Sequence, residues 1–352
     1  MKLNQPIRSG KMKSNTITLA HGSGGKAMRD LIDDVFVSGF ANEELNTLED
    51  QARFGLDLFT QYGDCLAMTT DSYVVDPLFF PGGDIGKLAV TGTVNDLAVG
   101  GAIPLFLSCG MIIEEGFSVD TLRKIVHSMK TTADEAGVKI VTGDTKVVHK
   151  GAADKLFINT AGIGVIPEGI QIAANRAKPG DVIICNGFIG DHGAAIVDAR
   201  GELAIENTIE TDCSILSPLI QAMIKVCPDI HCMRDATRGG IATVLNEFAQ
   251  SSNCGITIFE NDIPIRNEVR GMCEILGLDP LYLANEGKVL AVVPANKAEK
   301  LITKMQQYSS GIHSRIIGKV TERPEKRVIL KTHFGGSRIV DMLVGEQLPR
   351  IC

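Results

Sequence analysis

The chain of 352 residues reads as an α/β (α+β) protein of two domains with a mobile C-terminal tail, and three observations predict this. The length suits two domains of ordinary size. Apolar runs of strand character alternate with helical patterns in the first half, and the alternation repeats in the second. Thirty-seven glycines, with only 5% aromatic residues and no tryptophan, suit many tight strand-to-helix connections and not a stacking or carbohydrate-binding surface.

After a polar leader over 1–15, Thr16-Ile17-Thr18-Leu19-Ala20 reads as a strand-like piece. It runs into a glycine-rich loop from His21 to Lys26 and an amphipathic segment from Ala27 to about Val37. Residues 66–75 read as a strand. Pro81-Gly82-Gly83 breaks the chain before Asp84, which caps a helix running to Gly100-Gly101, and Pro104 forbids its continuation. From Ser118, Leu122, Ile125, Val126, Met129 and Ala133 recur at helical spacing up to a stop at Gly137, an apolar stripe expected to pack on a sheet. A strand over Val138 to Val141 ends in Thr142-Gly143-Asp144-Thr145-Lys146, and another over Leu156 to Ala161 leads toward Pro167. The domain boundary falls near 165–175, which divides 16–168 from 169–340. Beyond it, Val182 to Cys185 form a strand, Gly187 to Gly193 a loop followed by a helix, and Gly239-Gly240 lead a helix holding Val244, Leu245 and Phe248. Residues 341–352 have no periodicity long enough to pack alone, and Pro349 cannot sit in a helix interior, so they are read as the mobile tail.

The net charge of −7, with no run of Lys or Arg, offers no electrostatic footprint for nucleic acid or for an anionic membrane. The leader lacks the apolar block of a signal peptide, and no stretch approaches the roughly 18 apolar residues of a membrane helix, so a cytoplasmic protein is expected. Nine cysteines, an odd number, form no CxxC pair and no Cys/His ladder, which argues against a zinc site or a disulfide framework. Most of them are expected to be small buried hydrophobes.

The loop at 22–26 presents unobstructed backbone N–H groups beside a helix start and a lysine, a recipe for gripping phosphate, although it is not a GxxxxGK[ST] P-loop and a plain connector would look the same. Acidic residues recur after apolar segments at Asp50, Asp71, Asp96, Asp144 and Asp235. Their convergence would build a magnesium-phosphate site, while any one of them alone reads first as a cap or turn residue. Asp96 stands out because it lies inside an apolar helix, where an unpaired carboxylate is costly. His21, His149, Arg234 and Arg238 are lesser candidates for phosphate contact or ordinary surface pairing.

Five segments carry a resemblance: DSYVVDPLFFPGGDIGKLAVTGTVNDLAVGGAIPLFLSCG at 71–110, GDTKVVHKGAADKLFINTAGIG at 143–164, RDATRGG at 234–240, NEGK at 285–288, and the terminal Pro349-Arg350-Ile351-Cys352. Together they resemble the HypE family of hydrogenase maturation proteins. This is a branch of the superfamily of aminoimidazole ribonucleotide synthetase, thiamine-monophosphate kinase and selenophosphate synthetase. The resemblance spans essentially the whole chain after the leader, and the PRIC ending is specific to the HypE branch. It implies the two-domain aminoimidazole-ribonucleotide-synthetase-like fold, with N-terminal sheets paired into a β-barrel in a homodimer.

The implied activity is ATP-dependent dehydration of an S-carbamoyl group on the C-terminal Cys352 to a thiocyanate, the source of cyanide ligands for [NiFe] hydrogenase. A carbamoyltransferase, HypF, would load the cysteine, and a HypC–HypD iron scaffold would receive the cyano group. ATP and Mg2+ are the implied cofactors. By motif match, Asp50, Asp96, Asp144 and Asp235 are implied magnesium ligands. Gly24, Gly25, Lys26, Asp71, Asp84, Gly143 and Thr145 are implied nucleotide contacts, and Lys146 and Glu286 the acid/base pair, with Lys146 equally readable as a fixed phosphate counter-charge. Cys352 is then expected exposed on its arm, with Arg350 favouring the thiolate. Two other readings remain: a small-molecule kinase or synthetase of the same superfamily, which has no use for the tail, and a non-catalytic cysteine-tailed carrier. The absence of cysteine from residues 16–30 separates the chain from selenophosphate synthetases, which usually carry a reactive residue there.

Overall fold

Two sheets organise the chain, one of four strands in the first domain and one of seven in the second. The computed structural model describes residues 12–201, 209–345, 348 and 350–352; the first eleven residues of the leader and Pro349 of the tail lie outside the described residues. The stretch 16–20, expected as a strand, makes a single bridge from Thr16 to Ser118 before a 3-10 turn at Leu19–Gly22. The reason is local: the backbone N–H of Thr18 donates to His21 Nδ1 at 2.9 Å, and this side-chain bond turns the chain out of any ladder. Helix α1 (Lys26–Leu31) then opens a helical run continuing through Ile32–Val37 to Phe40.

The first domain follows as β1 (Cys65–Tyr73), α2 (Ile85–Val99), β2 (Ile103–Glu114), α3 (Val119–Ala136), β3 (Lys139–Val148) and β4 (Leu156–Ile166). The sheet order is β1-β4-β2-β3, with β2 and β3 parallel and the other pairs antiparallel. Helix α2 starts because the Asp84 carboxylate accepts from the N–H groups of Gly86 (2.7 Å) and Lys87 (3.2 Å). All of its residues except Lys87 and Asp96 are buried, as a helix apolar on every side must be. Because α2 already covers β1 and β4, the apolar stripe of α3 does not lie mainly on the sheet as expected. It packs beside α2, so closely that a side chain on Gly86 would meet the Ile125 carbonyl at 2.5 Å.

Residues 142–146, expected to lie beyond a short strand, are inside β3, because its ladder with β2 continues past a bulge at Leu107/Ser108 as far as Glu114 and Val148. Among the described residues this sheet stays open, with β1 and β3 at its two edges, and no closed barrel forms within one chain.

The second domain contains β5 (Val182–Cys185), α4 (Asp191–Ala199), α5 (Ser217–Val226), β6 (Cys232–Asp235), α6 (Gly240–Ser251), β7 (Gly255–Phe259), α7 (Asn267–Leu276), β8 (Val289–Val293), α8 (Ala298–Met305), β9 (Arg315–Thr321), β10 (Val328–Lys331) and β11 (Ser337–Val340). Its sheet runs β11-β10-β7-β9-β5-β8-β6. Both faces are covered: Ile183, Cys185, Leu290 and Val292 pack toward Leu245 and Phe248, while Ile184, Val289, Ala291 and Val293 pack toward Leu219, Met223 and Leu301. The loop expected over 187–193 is shorter than that, since α4 begins at Asp191. Asn95 of α2 ties the domains together, donating to the Ser214 carbonyl at 3.1 Å and accepting from the N–H of Leu216 at 2.8 Å.

Candidate active site between the domains

Three of the predicted aspartates meet where α2 passes the end of β6. Asp71 lies on the inward face of β1, Asp96 emerges from the buried helix, and Asp235 closes β6 before the turn into α6. Asp96 accepts from the Thr69 hydroxyl at 3.0 Å, and Arg238 reaches Asp71 at 3.3 Å. Burial first, and then the charge of Asp96, push the Asp235 carboxyl up to about 7. Asp96 is likewise raised, by burial and by Asp71, against the Thr69 hydrogen bond. Two carboxylates that hold protons above their usual range are a hard-oxygen pair short of positive charge.

Glu286 stands on the loop before β8, only 3% exposed. Its conformation is set from behind by Asp212, whose two carboxylate oxygens accept from the N–H of Glu286 (3.0 Å) and of Gly287 (3.1 Å) while pairing with Lys288 Nζ at 2.9 Å. Gly287 has to be glycine, since a Cβ there would come within 2.0 Å of the Asp212 carbonyl. The Glu286 Oε1 atom is buried without a hydrogen-bond partner. Burial, and then Asp212, Asp235 and Asp71, hold its carboxyl well above the usual range.

The tail corrects an expectation. Cys352 is not exposed in this structure; it is 9% exposed, whereas Cys65 is the one exposed thiol of the nine. The last residues run antiparallel beside the continuation of β1: the N–H of Val74 donates to the terminal carboxylate of Cys352 and that of Asp76 to the Arg350 carbonyl, both at 3.2 Å. Ile351 is buried, and its carbonyl meets His192 Nε2 at 2.8 Å. Arg350, expected to favour the thiolate, turns away to pair with Asp154. Burial first, and then Glu286, push the Cys352 thiol up to about 12, with Arg238 opposing. A cavity of about 290 Å³ adjoins the thiol, lined by Val74, Arg238, Tyr282, Leu283, Leu348 and Cys352.

The remaining predicted residues lie elsewhere. Across the sheet, Asp71 pairs with Thr160, Thr160 with Cys109 and Cys109 with Gly143, so Asp71 and Gly143 stand at opposite edges, three strand spacings or roughly 14 Å apart. Asp144 and Lys146 sit at the far edge on the outward face, paired at 3.2 Å and both exposed, while Thr145 turns inward. Gly143 and Thr145 line a groove of about 210 Å³ beneath the helical run, with Met28, Phe36 and Met111. Lys26 is engaged with Asp30 at 2.6 Å, and Gly24 and Gly25 are exposed beside it. Asp50 is exposed and Asp84 serves as the helix cap. The four aspartates expected to share a metal are therefore not assembled by one chain, and among the described residues no three carboxylate, His or Cys groups are close enough to hold an ion.

His192, Thr211 and Asp212 were missed in the sequence. His192 follows Gly190-Asp191 in a run that reads as a loop, and nothing local marks Asp212 as the support of a loop more than seventy residues away.

Two families match the chain: AIR synthase related protein, N-terminal domain, over residues 49–166, and AIR synthase related protein, C-terminal domain, over 178–331. The carbamoyl dehydratase HypE of Rhodobacter capsulatus is 54% identical over 341 residues, covering 97% of this chain and 99% of that protein. The carbamoyl dehydratase HypE of Escherichia coli (strain K12) is 51% identical over 338 residues, covering 96% and 100%. Among solved structures, hydrogenase maturation protein HypE in complex with ATP matches with a TM-score of 0.91 at 47% identity, covering 96% of this chain and 100% of that one. A HypE–HypF complex matches with a TM-score of 0.77 at 48% identity, covering 89% and 99%. With half of its residues shared along almost its entire length, and with a two-domain α/β fold that superposes on theirs, the chain belongs to the carbamoyl dehydratase HypE family of AIR synthase related proteins.

Proposed function

We propose that this protein is an ATP-dependent carbamoyl dehydratase whose substrate is carried on its own Cys352. The observation behind this reading is the place of the last residue, a thiol seated within electrostatic reach of Glu286, Arg238 and Asp71. A C-terminus with no chemical role has no reason to be buried among charged groups.

The carbamoyl oxygen of the S-carbamoyl group attacks the γ-phosphorus of ATP, ADP departs, and the nitrogen loses one proton. Cleavage of the C–O bond expels phosphate as the second proton leaves, and S–C≡N remains. Thiocarboxamide and ATP thus become thiocyanate, ADP and phosphate. Glu286 Oε1, open to a new hydrogen bond, accepts a nitrogen proton. Lys146, with its Asp144 partner, supplies a phosphate counter-charge or the second proton acceptor. Gly24, Gly25, Lys26, Asp71, Asp84, Gly143 and Thr145 remain the proposed nucleotide contacts. Asp96 and Asp235, whose crowded carboxylates suit a hard cation, would hold Mg2+ together with Asp50 and Asp144, and the ion would neutralise phosphate charge.

Assembly of that set calls for a homodimer. Leu66 (59% exposed), Met68 (74%) and Ile112 (42%) share the outward face of the first sheet with Asp144 and Lys146. Pairing two such faces into a barrel buries the apolar residues and carries one chain's Asp144–Lys146 pair toward its partner's site. The domains extend over 16–168 and 169–340. Cys352 leaves its seat to be carbamoylated by HypF and returns to be dehydrated, and the cyano group passes to a HypC–HypD scaffold. Among the described residues no helix is long and apolar enough to cross a membrane, which accords with work in the cytoplasm.

Intact mass tests the reading. Incubation with the carbamoyltransferase, carbamoyl phosphate and ATP is expected to add one carbamoyl group at Cys352 and then to remove one water; a Cys352→Ala protein that still gains and loses these masses overturns it.

A further inference from the structure

A chain of hydrogen bonds fixes the tautomer of His192, which touches the tail. The N–H of Cys213 donates to Thr211 Oγ1 at 3.1 Å, and the Thr211 hydroxyl stands 2.8 Å from His192 Nδ1. On the other side of the ring, Nε2 stands 2.8 Å from the Ile351 carbonyl, which can only accept. His192 Nε2 therefore carries the proton and donates it, while Nδ1 accepts from the threonine hydroxyl. The ring is fully buried, with Phe80 edge-on at 5.6 Å between centroids.

The same Nε2 lies 4.0 Å from Glu286 Oε1, the buried oxygen without a partner. One N–H cannot serve two acceptors at full strength. While Ile351 occupies it, Glu286 Oε1 is left without a hydrogen-bond partner. When the tail leaves, the N–H is released next to the orphan oxygen, and burial makes that oxygen a ready acceptor.

We infer that His192 is a positioning residue: held in its Nε2–H form by Thr211, it seats the C-terminal tripeptide through the Ile351 carbonyl and, by giving its N–H to the tail, withholds it from Glu286. The inference rests on the dehydratase reading for its purpose, but the seat is a physical property that can be measured without turnover. In that arrangement Glu286 is free to take a proton only when Cys352 is in place, so docking and chemistry are coupled through a single donor. Gln at 192 carries a side-chain N–H at comparable reach, whereas Phe fills the space and donates nothing.

The test uses the full chain as wild type, His192→Phe, His192→Gln and Thr211→Val. Alkylation of Cys352 by iodoacetamide is timed on the C-terminal peptide released by Glu-specific cleavage. Dehydration of protein already carbamoylated is timed in a single turnover with ATP. Loss of a buried hydrogen bond to a carbonyl is expected to raise the alkylation rate of His192→Phe roughly ten- to hundredfold, with a comparable fall in dehydration. His192→Gln is expected to return both toward wild type, a rescue that mere filling of space would not produce, and Thr211→Val to fall between. Wild-type alkylation kinetics in a folded His192→Phe protein overturn the inference. If that variant does not fold, unchanged kinetics in Thr211→Val overturn it and faster alkylation supports it. Wild-type protein that is never dehydrated, with the alkylation pattern intact, removes the functional reading and leaves the seat standing; normal dehydration with no alkylation difference does the reverse.

Discussion

Asp212 grips Glu286 by its backbone, not its side chain. One carboxylate oxygen takes the N–H of Glu286 at 3.0 Å, the other takes that of Gly287 at 3.1 Å, and Lys288 balances the charge at 2.9 Å. The loop is thereby locked with its carboxyl aimed at the tail, although Glu286 itself makes no side-chain hydrogen bond through Oε1. Both members of the Asp212–Lys288 pair are nearly inaccessible, at 3% and 10% side-chain exposure. Asp212→Ala is therefore expected to destabilise the fold by about 3 to 5 kcal/mol, because it strands a buried ammonium, and thermal unfolding measures this directly. Asp212→Ala combined with Lys288→Met, which removes both charges, is expected to recover much of that stability without restoring dehydration.

Glu286→Gln preserves shape and burial but cannot accept a proton. Single-turnover dehydration of the carbamoylated protein is expected to fall by roughly 10²- to 10⁴-fold, with unfolding temperature unchanged or slightly raised. A variant that retains the wild-type rate would remove Glu286 from the proton pathway.

The Asp235 carboxyl predicts a pH dependence whose sign follows from its shift. Burial and Asp96 raise it from 3.8 to about 7 in the folded protein. Ionisation is thus harder folded than unfolded, so without divalent cation stability is expected to decline as pH rises from about 4 and to level off above about 7. Mg2+ is expected to offset the loss at neutral pH by favouring the ionised pair, and Asp235→Asn to abolish that part of the slope. Denaturant midpoints across pH, with and without Mg2+, measure all three effects.

Shared sites would show themselves in mixed dimers. Asp144→Asn and Asp235→Asn proteins are each expected to be inactive alone. If one site takes Asp235 from one chain and Asp144 from its partner, unfolding and refolding them together in equal amounts is expected to restore roughly a quarter of wild-type activity, because half the dimers are mixed and each has one intact site. No recovery would place both residues in sites of a single chain.

The outward sheet face can be tested without chemistry. Met68→Glu puts a charge at the most exposed apolar position of β1 and is expected to shift the mass in light scattering from dimer to monomer. A monomeric wild type would sink the barrel proposal.

Local physics was legible at the main helices, and less so at 16–20, where the Thr18–His21 bond turns an expected strand into a 3-10 turn. Asp84 and Ser118 could be read as caps, Gly137 as a stop and the Leu122–Ala133 stripe as a buried face, because capping and 3.6-residue periodicity act within a few residues of their cause. The motifs around Asp71, Asp96, Asp235, Glu286 and Cys352 named a set of residues that do converge. Their partners were not legible. His192 reaches the tail across 159 residues, and Asp212 supports a loop 74 residues ahead. Such bonds are chosen by how helix α4 and the 209–215 segment pack against the loop before β8, and no local pattern encodes that.

The sequence by itself determined the main helices, their caps and the motif residues Asp71, Asp96, Asp235, Glu286 and Cys352, since caps and motifs depend on neighbours along the chain. Tertiary structure alone decided which of those side chains share a space: it set Asp71 and Asp144 at opposite edges of one sheet, gathered Asp96 and Asp235 near Asp71, and brought the final thiol indoors. Burial and electrostatic fields depend on distance through the fold, and a strand's two faces or a sheet's two edges can part residues that look equivalent in sequence.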